Sequence, residues 1–170
     1  MPTTSSAVYA FGDLLALARQ SWLGQMAGQL AELGYADYRR SDAAAIRLLR
    51  RRPVAVGQLG TALGVTRQAA RKVADGLCQR GYATVERDPD DARQLKVTLT
   101  EAGQQYASAV VAVIEQLNRE VTSRADPADL AGADAVLRAA MFDDSTRQRA
   151  ARILPPPVAP PGPDRSSGPR

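Results

Sequence analysis

The sequence has 170 residues, 45% of them hydrophobic and 24% charged, which is typical of a globular chain with one core and extensions. It has no histidine and a single cysteine, Cys78, which argues against a zinc site, an internal disulfide and histidine catalysis. Phosphate-loop and nucleophile-elbow motifs are also missing, so we predict no enzyme, no cofactor and no metal site. Without an apolar run of ~20 residues or a signal-peptide pattern, we expect a cytoplasmic protein.

Positive charge is concentrated in the middle of the chain. The net charge is +4, yet Arg39 to Lys96 holds thirteen Lys or Arg against six Asp or Glu, a net +7. The remainder therefore carries a net charge of −3. A basic segment between acidic flanks indicates that this segment contacts a polyanion.

The N-terminal part of the chain has the pattern of two helices. Apolar and small residues recur at helical spacing from Ala7 to Leu33, and Gly34 follows where a terminating glycine is favoured. Ser41 and Asp42 then precede "AAAIRLLRRR", which predicts a capped second helix ended by Pro53.

The next stretch, "VAVGQLGTALGVTRQAARKVADGLCQRGY", predicts two short helices joined by a tight turn. The first runs from about Val56 to Leu63, and the turn is Gly64 and Val65. The second follows Thr66, whose hydroxyl can cap its first turn, and ends near Gly81. Two helices around a glycine turn are typical of a helix-turn-helix.

A β-hairpin and further helices are predicted after this pair. "YATVER" and "LKVTLT" alternate like strands around the charged tip "DPDDARQ". Thr100 caps a long helix that runs to about Arg124, and another spans about Pro127 to Ala140, with an extension through "STRQRAARIL" left open. The proline-rich segment from Pro155 is predicted to be a disordered tail, either passive or a ligand for a proline-recognising partner.

The run from about Ser41 to Gly103 resembles the DNA-binding core of the MarR family of bacterial transcription regulators. The resemblance rests on the helix pair quoted above, the wing "DPDDARQ" with its Asp-x-Arg core, and the exit "LKVTLTEAG". It implies a mainly α fold with a small β-hairpin wing, a winged helix-turn-helix flanked by dimerisation helices. The expected divisions are an N-terminal dimerisation helix in 1–38, the DNA-binding domain in 39–100, C-terminal dimerisation helices in 101–154 and the tail in 155–170.

The second helix of the pair separates a polar arc from an apolar arc on a helical wheel. Its polar arc carries Arg67, Gln68 and Arg71, which can form paired hydrogen bonds with base edges in the major groove. Lys72 and the Thr66 hydroxyl suit phosphate contacts. The alternative is that this arc is only a solvated helix face.

The wing supplies a second predicted contact with DNA. Arg93 stands at a narrow hairpin tip, and arginine is favoured in the narrow minor groove. The resemblance implies that Asp91 orients this arginine, while the alternative is a simple ion pair. The triple arginine Arg50, Arg51 and Arg52 is a departure from the charge expected for the family at this position.

A homodimer is predicted because one small winged helix covers too little DNA for high specificity, and because the flanking helices carry excess apolar surface. The alternative for these side chains is the intramolecular core. The candidate interface residues are Leu14, Trp22, Val113, Leu117, Val136 and Leu137.

The family resemblance also implies a small phenolic or anionic effector that binds between the dimer region and the DNA-binding lobe. Trp22, Tyr35, Tyr38 and Arg39 could line its site or could be packing residues. Redox sensing through Cys78 is a further option. The function predicted is a DNA-binding transcriptional regulator, a repressor released by ligand, with a winged-helix module that binds only proteins as the alternative.

Overall fold

The structure, a computed structural model, describes residues 10–88 and 94–153, the last three by their backbone alone. Within these ranges the fold class matches the prediction, with seven helices and a three-stranded antiparallel sheet of order β1-β3-β2. None of the described helices is both long and apolar enough to cross a bilayer. In chain order the elements are α1 (Phe11–Glu32), α2 (Asp42–Leu49), β1 (Val54–Ala55), α3 (Val56–Leu63), α4 (Arg67–Gln79), β2 (Ala83–Arg87), β3 (Leu95–Leu99), α5 (Glu101–Thr122), α6 (Pro127–Ala139) and α7 (Asp144–Ile153).

The chain divides into two compact units, Met1–Leu117 and Asn118–Arg170, with the boundary inside α5. The core of the first unit draws on α1 to α5 and on all three strands. Two of the candidate interface residues, Val113 and Leu117, are only 3% and 4% exposed there, so they belong to this intramolecular core. Its largest fully buried side chains include Tyr106, Met26, Leu30, Ile46, Leu49, Leu59, Leu77 and Val97.

Two helix starts test the predicted caps. Ser41 makes no side-chain cap, contrary to expectation; instead the Asp42 carboxylate accepts a hydrogen bond from the Arg39 amide at 3.0 Å. The cap of α5 is confirmed, because the Gly103 amide donates to the Thr100 hydroxyl at 3.0 Å. The same Thr100 hydroxyl donates to the Gly81 carbonyl at 2.6 Å, so it joins the start of α5 to the end of the preceding turn.

The helical region after residue 126 is two helices, not one extended helix. The second helix, α7, has its own capped start, because the Asp143 carboxylate accepts hydrogen bonds from the Ser145 hydroxyl and from the Thr146 amide, the latter at 2.7 Å. The hydrogen bond from Ser145, followed by those from Thr146, lowers the pKa of the Asp143 carboxyl. No residue of α6 is buried, so its apolar side chains remain on the surface of the described chain.

Candidate nucleic-acid interface

The turn between α3 and α4 fixes how these two helices meet. Gly64 has a φ of 69°, a left-handed conformation that glycine adopts without strain. The Val65 amide donates to the Gly60 carbonyl at 3.0 Å, and a Cβ at Gly60 would lie 3.1 Å from the Val65 carbonyl oxygen. Because there is little room for a side chain, the helices can pack closely, and α4 is held at a defined angle.

The fourth helix presents the face predicted from its sequence. The Ala69 amide donates to the Thr66 hydroxyl oxygen at 3.2 Å, which confirms the predicted cap. Arg67, Gln68 and Lys72 are exposed. The opposite face packs into the core through Ala70, Ala74, Gly76 and Leu77. The helix is therefore anchored by one side, with Arg, Gln and Lys side chains projecting from the other.

Arg71, also expected on the polar face, is partly exposed and paired. Its Nε lies 2.8 Å from the Asp75 carboxylate, and both side chains keep 43% of their surface exposed. A pair this exposed contributes little to stability, so either partner can exchange at small cost. Arg71 is thus held extended along the helix in a position from which it can turn to another anion.

The base of the wing carries an ion pair that the sequence did not reveal. The Lys96 ammonium donates to the Asp88 carboxylate at 2.8 Å, and Asp88 is only 8% exposed. The Asp88 amide also donates to the Gln94 carbonyl at 2.9 Å. These contacts join the two strands just below the tip. The predicted minor-groove residue Arg93 and its supporting Asp91 lie outside the described residues.

A crevice of about 470 Å³ lies between the start of α3, the start of α4 and the wing base. Arg67 and Gln94 both line it. The other lining residues are Ala55, Val56, Gly57, Gln58, Thr61 and Leu95. The guanidinium of Arg67 beside this concave surface favours a negatively charged ligand such as phosphate.

A buried carboxylate joins the end of α4 to two other helices. Asp42 is 1% exposed and accepts two hydrogen bonds from the Arg80 guanidinium, at 2.7 and 3.1 Å. The Tyr106 hydroxyl donates a third at 2.7 Å. Since these residues come from α2, the end of α4 and α5, the cluster fixes the position of α4 within the first unit. The sequence pattern indicated only a capping role for Asp42 and gave no sign of this cluster.

Both partners of Asp42 are held in one protonation state. Burial and the hydrogen bond to Asp42 raise the pKa of the Tyr106 hydroxyl far above its usual value. Burial alone would lower the pKa of Arg80, but its hydrogen bond and attraction to Asp42 outweigh this, so the pKa is raised. The phenol therefore stays neutral and the guanidinium charged at physiological pH.

The loop before α2 is fastened to the end of α4. Arg80 donates to the Asp37 carbonyl at 3.0 Å, and the Tyr82 hydroxyl donates to the Asp37 carboxylate at 3.1 Å. The Arg39 guanidinium covers Gly76, where an added Cβ would lie 2.8 Å from its Nη1. A shift of this loop would therefore change its contacts with α4 and could displace that helix.

The four predicted ligand residues are not brought to one site. A groove of about 890 Å³ runs along α1 and is lined by Tyr38 and Arg40, whereas Trp22, Tyr35 and Arg39 are not among its lining residues. Trp22 packs partly buried against the core, and Tyr35 packs against two other tyrosine rings. The helix contributes Leu17, Gln20, Ser21, Leu23, Gly24, Gln25 and Ala27 to the groove.

Cys78 lies partly buried on α4, where the net effect of its surroundings on the thiol is unfavourable for ionisation, although the nearby Arg71 acts in the opposite direction. Burial raises the pKa of its thiol, and the neighbouring Asp75 carboxylate raises it further. Thiolate formation near neutral pH is therefore disfavoured, and the thiolate is the reactive form.

Comparison with known proteins shows which family the segment around α3 and α4 resembles. The family model described as "MarR family" matches residues 36–94, the segment that contains α2, β1, α3, α4 and β2. Uncharacterized proteins from Mycobacterium bovis and Mycobacterium tuberculosis are 33% identical over 79 residues, which is 46% of this chain. The chain spans about half of these curated relatives, 55% of their length.

Solved structures extend the likeness to most of the chain. A probable transcriptional regulator from Pseudomonas aeruginosa covers 76% of this chain and 96% of its own, with 23% identity and a TM-score of 0.64. A mutant MarR from Escherichia coli in complex with operator DNA covers 82% and 99%, with 18% identity and a TM-score of 0.67. The MepR–DNA complex of Staphylococcus aureus covers 77% and 96%, with 13% identity and a TM-score of 0.68. Residues 36–94 thus match the MarR family model, and the three solved structures, each less than 25% identical, show that the fold is shared.

Proposed function

We propose that this protein is a transcriptional regulator that binds specific sequences of double-stranded DNA in the cytoplasm. The observation that carries the proposal is α4, packed by its apolar side and exposing Arg67, Gln68 and Lys72. A helix held in this way fits the major groove, whose width admits one helix. The operator complex of the Escherichia coli MarR mutant, which shares this fold, supports the proposal.

In this proposal the residues of α4 divide into base and phosphate contacts. Arg67, Gln68 and Arg71 read base edges, with Arg71 releasing Asp75 as it does so. Lys72 neutralises a phosphate. The Thr66 hydroxyl oxygen accepts from within the helix, which leaves its proton for donation to a phosphate oxygen. Arg93 enters the minor groove beside α4, oriented by Asp91.

The active form in this proposal is a homodimer that represses transcription. Leu14 on α1 is 60% exposed, and Val136 and Leu137 on α6 are 50% and 43% exposed. Burial of these large apolar side chains against a second copy of the chain would be favourable, because it removes apolar surface from water. Two lobes related by a two-fold axis would read half-sites about one helical turn apart.

A small phenolic or anionic effector would act through the loop before α2. The groove along α1 is lined by Tyr38 and Arg40, which suit such a ligand, and in this proposal Trp22, Tyr35 and Arg39 complete the site when the loop moves. The same loop is fastened to α4, so a ligand that favours another loop position would move the recognition helix. It can release DNA only by its difference in affinity for the two positions.

Selection of bound sequences from random duplex DNA tests the DNA-binding function, and the expected product is a palindromic motif. Titration of that motif at increasing salt should show affinity falling by orders of magnitude, because phosphate contacts release counterions. Failure to enrich any sequence, together with salt-independent binding to a protein partner, would instead support a protein-interaction module.

Single substitutions test the proposed contacts on the selected motif. We expect Arg67→Ala to weaken binding by about 10- to 100-fold, the range for loss of a bidentate base contact. Arg93→Ala should weaken it at least about tenfold without unfolding the protein. Arg119→Ala, which removes an exposed arginine of α5, is the matched control and should leave affinity nearly unchanged. Equal affinities for all three variants would contradict the assigned contacts.

A further inference from the structure

Four arginines form a second basic surface at the end of α2, separate from the face of α4. They are Arg47, Arg50, Arg51 and Arg52, and all four are exposed. The helical hydrogen bonding continues past α2, since the Arg50 amide donates to the Ile46 carbonyl at 2.8 Å. Arg47, Arg50 and Arg51 therefore point to the same side, away from the packed face of the helix. We call these four residues the arginine patch.

Nothing in the described part of the chain neutralises the arginine patch. No described carboxylate lies within ion-pair distance of these guanidinium groups. Like charges three and four positions apart on a helix repel one another, and the favourable position near a helix C-terminus offsets only part of this. Guanidinium groups are weakly hydrated and match phosphate oxygens in a two-pronged geometry. The patch is therefore suited to an anionic partner outside this chain.

The arginine patch lies close to the proposed DNA contacts. Arg52 precedes Val56, the first residue of α3, by four positions, so their Cα atoms are within about 14 Å. Val56 itself lines the crevice that contains Arg67. Along one DNA strand about 14 Å corresponds to roughly four base steps. A phosphate backbone that covers this crevice would therefore lie within a few base steps of Arg52.

We propose that the arginine patch binds the phosphate backbone of duplex DNA flanking the bases read by α4, an inference that rests on the proposed function. Its proximity to the α3 crevice favours DNA over an acidic protein as the occupant. Contacts of this kind carry no sequence information; they lengthen the footprint and add affinity that depends on salt.

The experiment compares two duplexes that contain the selected operator, one ending at its edges and one extended by about 10 bp on each side. Binding of the full chain is measured by fluorescence anisotropy at several salt concentrations. We expect the wild-type protein to bind the extended duplex at least several-fold more tightly, with a steeper salt dependence. Arg50→Ala/Arg51→Ala should abolish this gain and reduce the slope of log K against log salt by about one for each phosphate that is no longer neutralised.

The matched control is Arg119→Ala/Arg124→Ala, which removes the same charge from exposed positions in the last turn of α5 and just after it, and should retain the gain. If the Arg50/Arg51 variant keeps the full gain from the flanks, or loses it only as much as the control does, the patch does not bind DNA. Wild-type protein that binds both duplexes equally refutes the flanking contact alone. Wild-type protein that binds neither duplex refutes the proposed function itself.

Discussion

Two parts of the molecule differ in how far their side chains are buried and paired within the chain. They are the winged-helix lobe, from α2 to β3, and the flanking helices α1 and α6. In the lobe, even the charged Asp42 is buried with three hydrogen-bonded groups around it. By contrast, only Met26 and Leu30 are buried on the 22 residues of α1, and α6 buries none. The lobe is thus satisfied by its own chain, whereas much of the apolar surface of α1 and α6 stays exposed in the described structure.

This contrast separates two kinds of sensitivity to mutation. In the lobe, a missing partner leaves a buried group without compensation, so the free energy of unfolding should change strongly. On α1 and α6 a single side chain has few intramolecular neighbours, so the effects of its substitution should appear in association with a second copy. Three predictions follow this contrast from the largest effect on stability to the smallest.

Removing the buried carboxylate should produce the largest loss. We expect Asp42→Ala to lower the free energy of unfolding by about 3–5 kcal/mol, because the buried Arg80 guanidinium then keeps only the more distant and more exposed Asp37 carboxylate, 3.9 Å away. Tyr106→Phe removes only one hydrogen bond to the carboxylate and should cost about 1.5–3 kcal/mol. Urea unfolding followed by circular dichroism measures both.

Asp134→Ala on α6 is the control for this prediction. It breaks a partly exposed ion pair with Arg138, 2.7 Å long, within one helix turn, and stability should change little. Equal losses for Asp42→Ala and Asp134→Ala would remove the distinction between the lobe and the flanking helices.

Two glycines extend the comparison to α5 where it packs on the lobe and to the exposed helix α6. A Cβ at Gly103 would lie 1.8 Å from the carbonyl oxygen of Tyr82, a backbone atom that also accepts the Thr100 amide. We therefore expect Gly103→Ala to destabilise the protein by about 1–3 kcal/mol. At Gly132 in α6 an added Cβ meets nothing within 4 Å, so Gly132→Ala should stabilise that helix by about 0.5–1 kcal/mol. Thermal unfolding measures the change in stability of both variants, which should be a loss for Gly103→Ala and a gain for Gly132→Ala. A gain in stability for Gly103→Ala would contradict the close approach of Gly103 to the Tyr82 carbonyl.

Local signals predicted the lobe well. The α3 boundaries, Val56 and Leu63, match the structure, and Thr66 caps α4 as its position before the helix indicated. Glycine turns and capping hydroxyls act within about four residues, so their effects can be recognised in a short stretch of sequence. The same holds for the separation of exposed and packed faces on α4, which follows from helical periodicity.

Long-range contacts could not be predicted in this way. Asp42 meets Arg80 and Tyr106 across 38 and 64 positions, and no periodic pattern relates such residues. The directions of the side chains in the loop before α2 could not be predicted from the sequence either. The Arg40 side chain lines the groove along α1, whereas the guanidinium of its neighbour Arg39 packs against Gly76 of α4. The direction of each side chain depends on an irregular backbone, which hydrophobic periodicity does not describe.

The smallest effect on the fold should come from the exposed apolar residues of the flanking helices. Leu14→Glu and Val136→Glu replace side chains that are 60% and 50% exposed, so far-ultraviolet circular dichroism should show a folded lobe. If these residues lie in the interface with a second copy of the chain, the introduced carboxylates lose their hydration when the dimer forms. The dissociation constant of the dimer should then rise. Sedimentation at micromolar concentration should then show a dimer for the wild-type protein and a shift toward monomer for each variant. Leu33→Glu, at a similarly exposed leucine where α1 ends, is the control and should remain dimeric; wild-type protein that sediments as a monomer would refute the dimer itself.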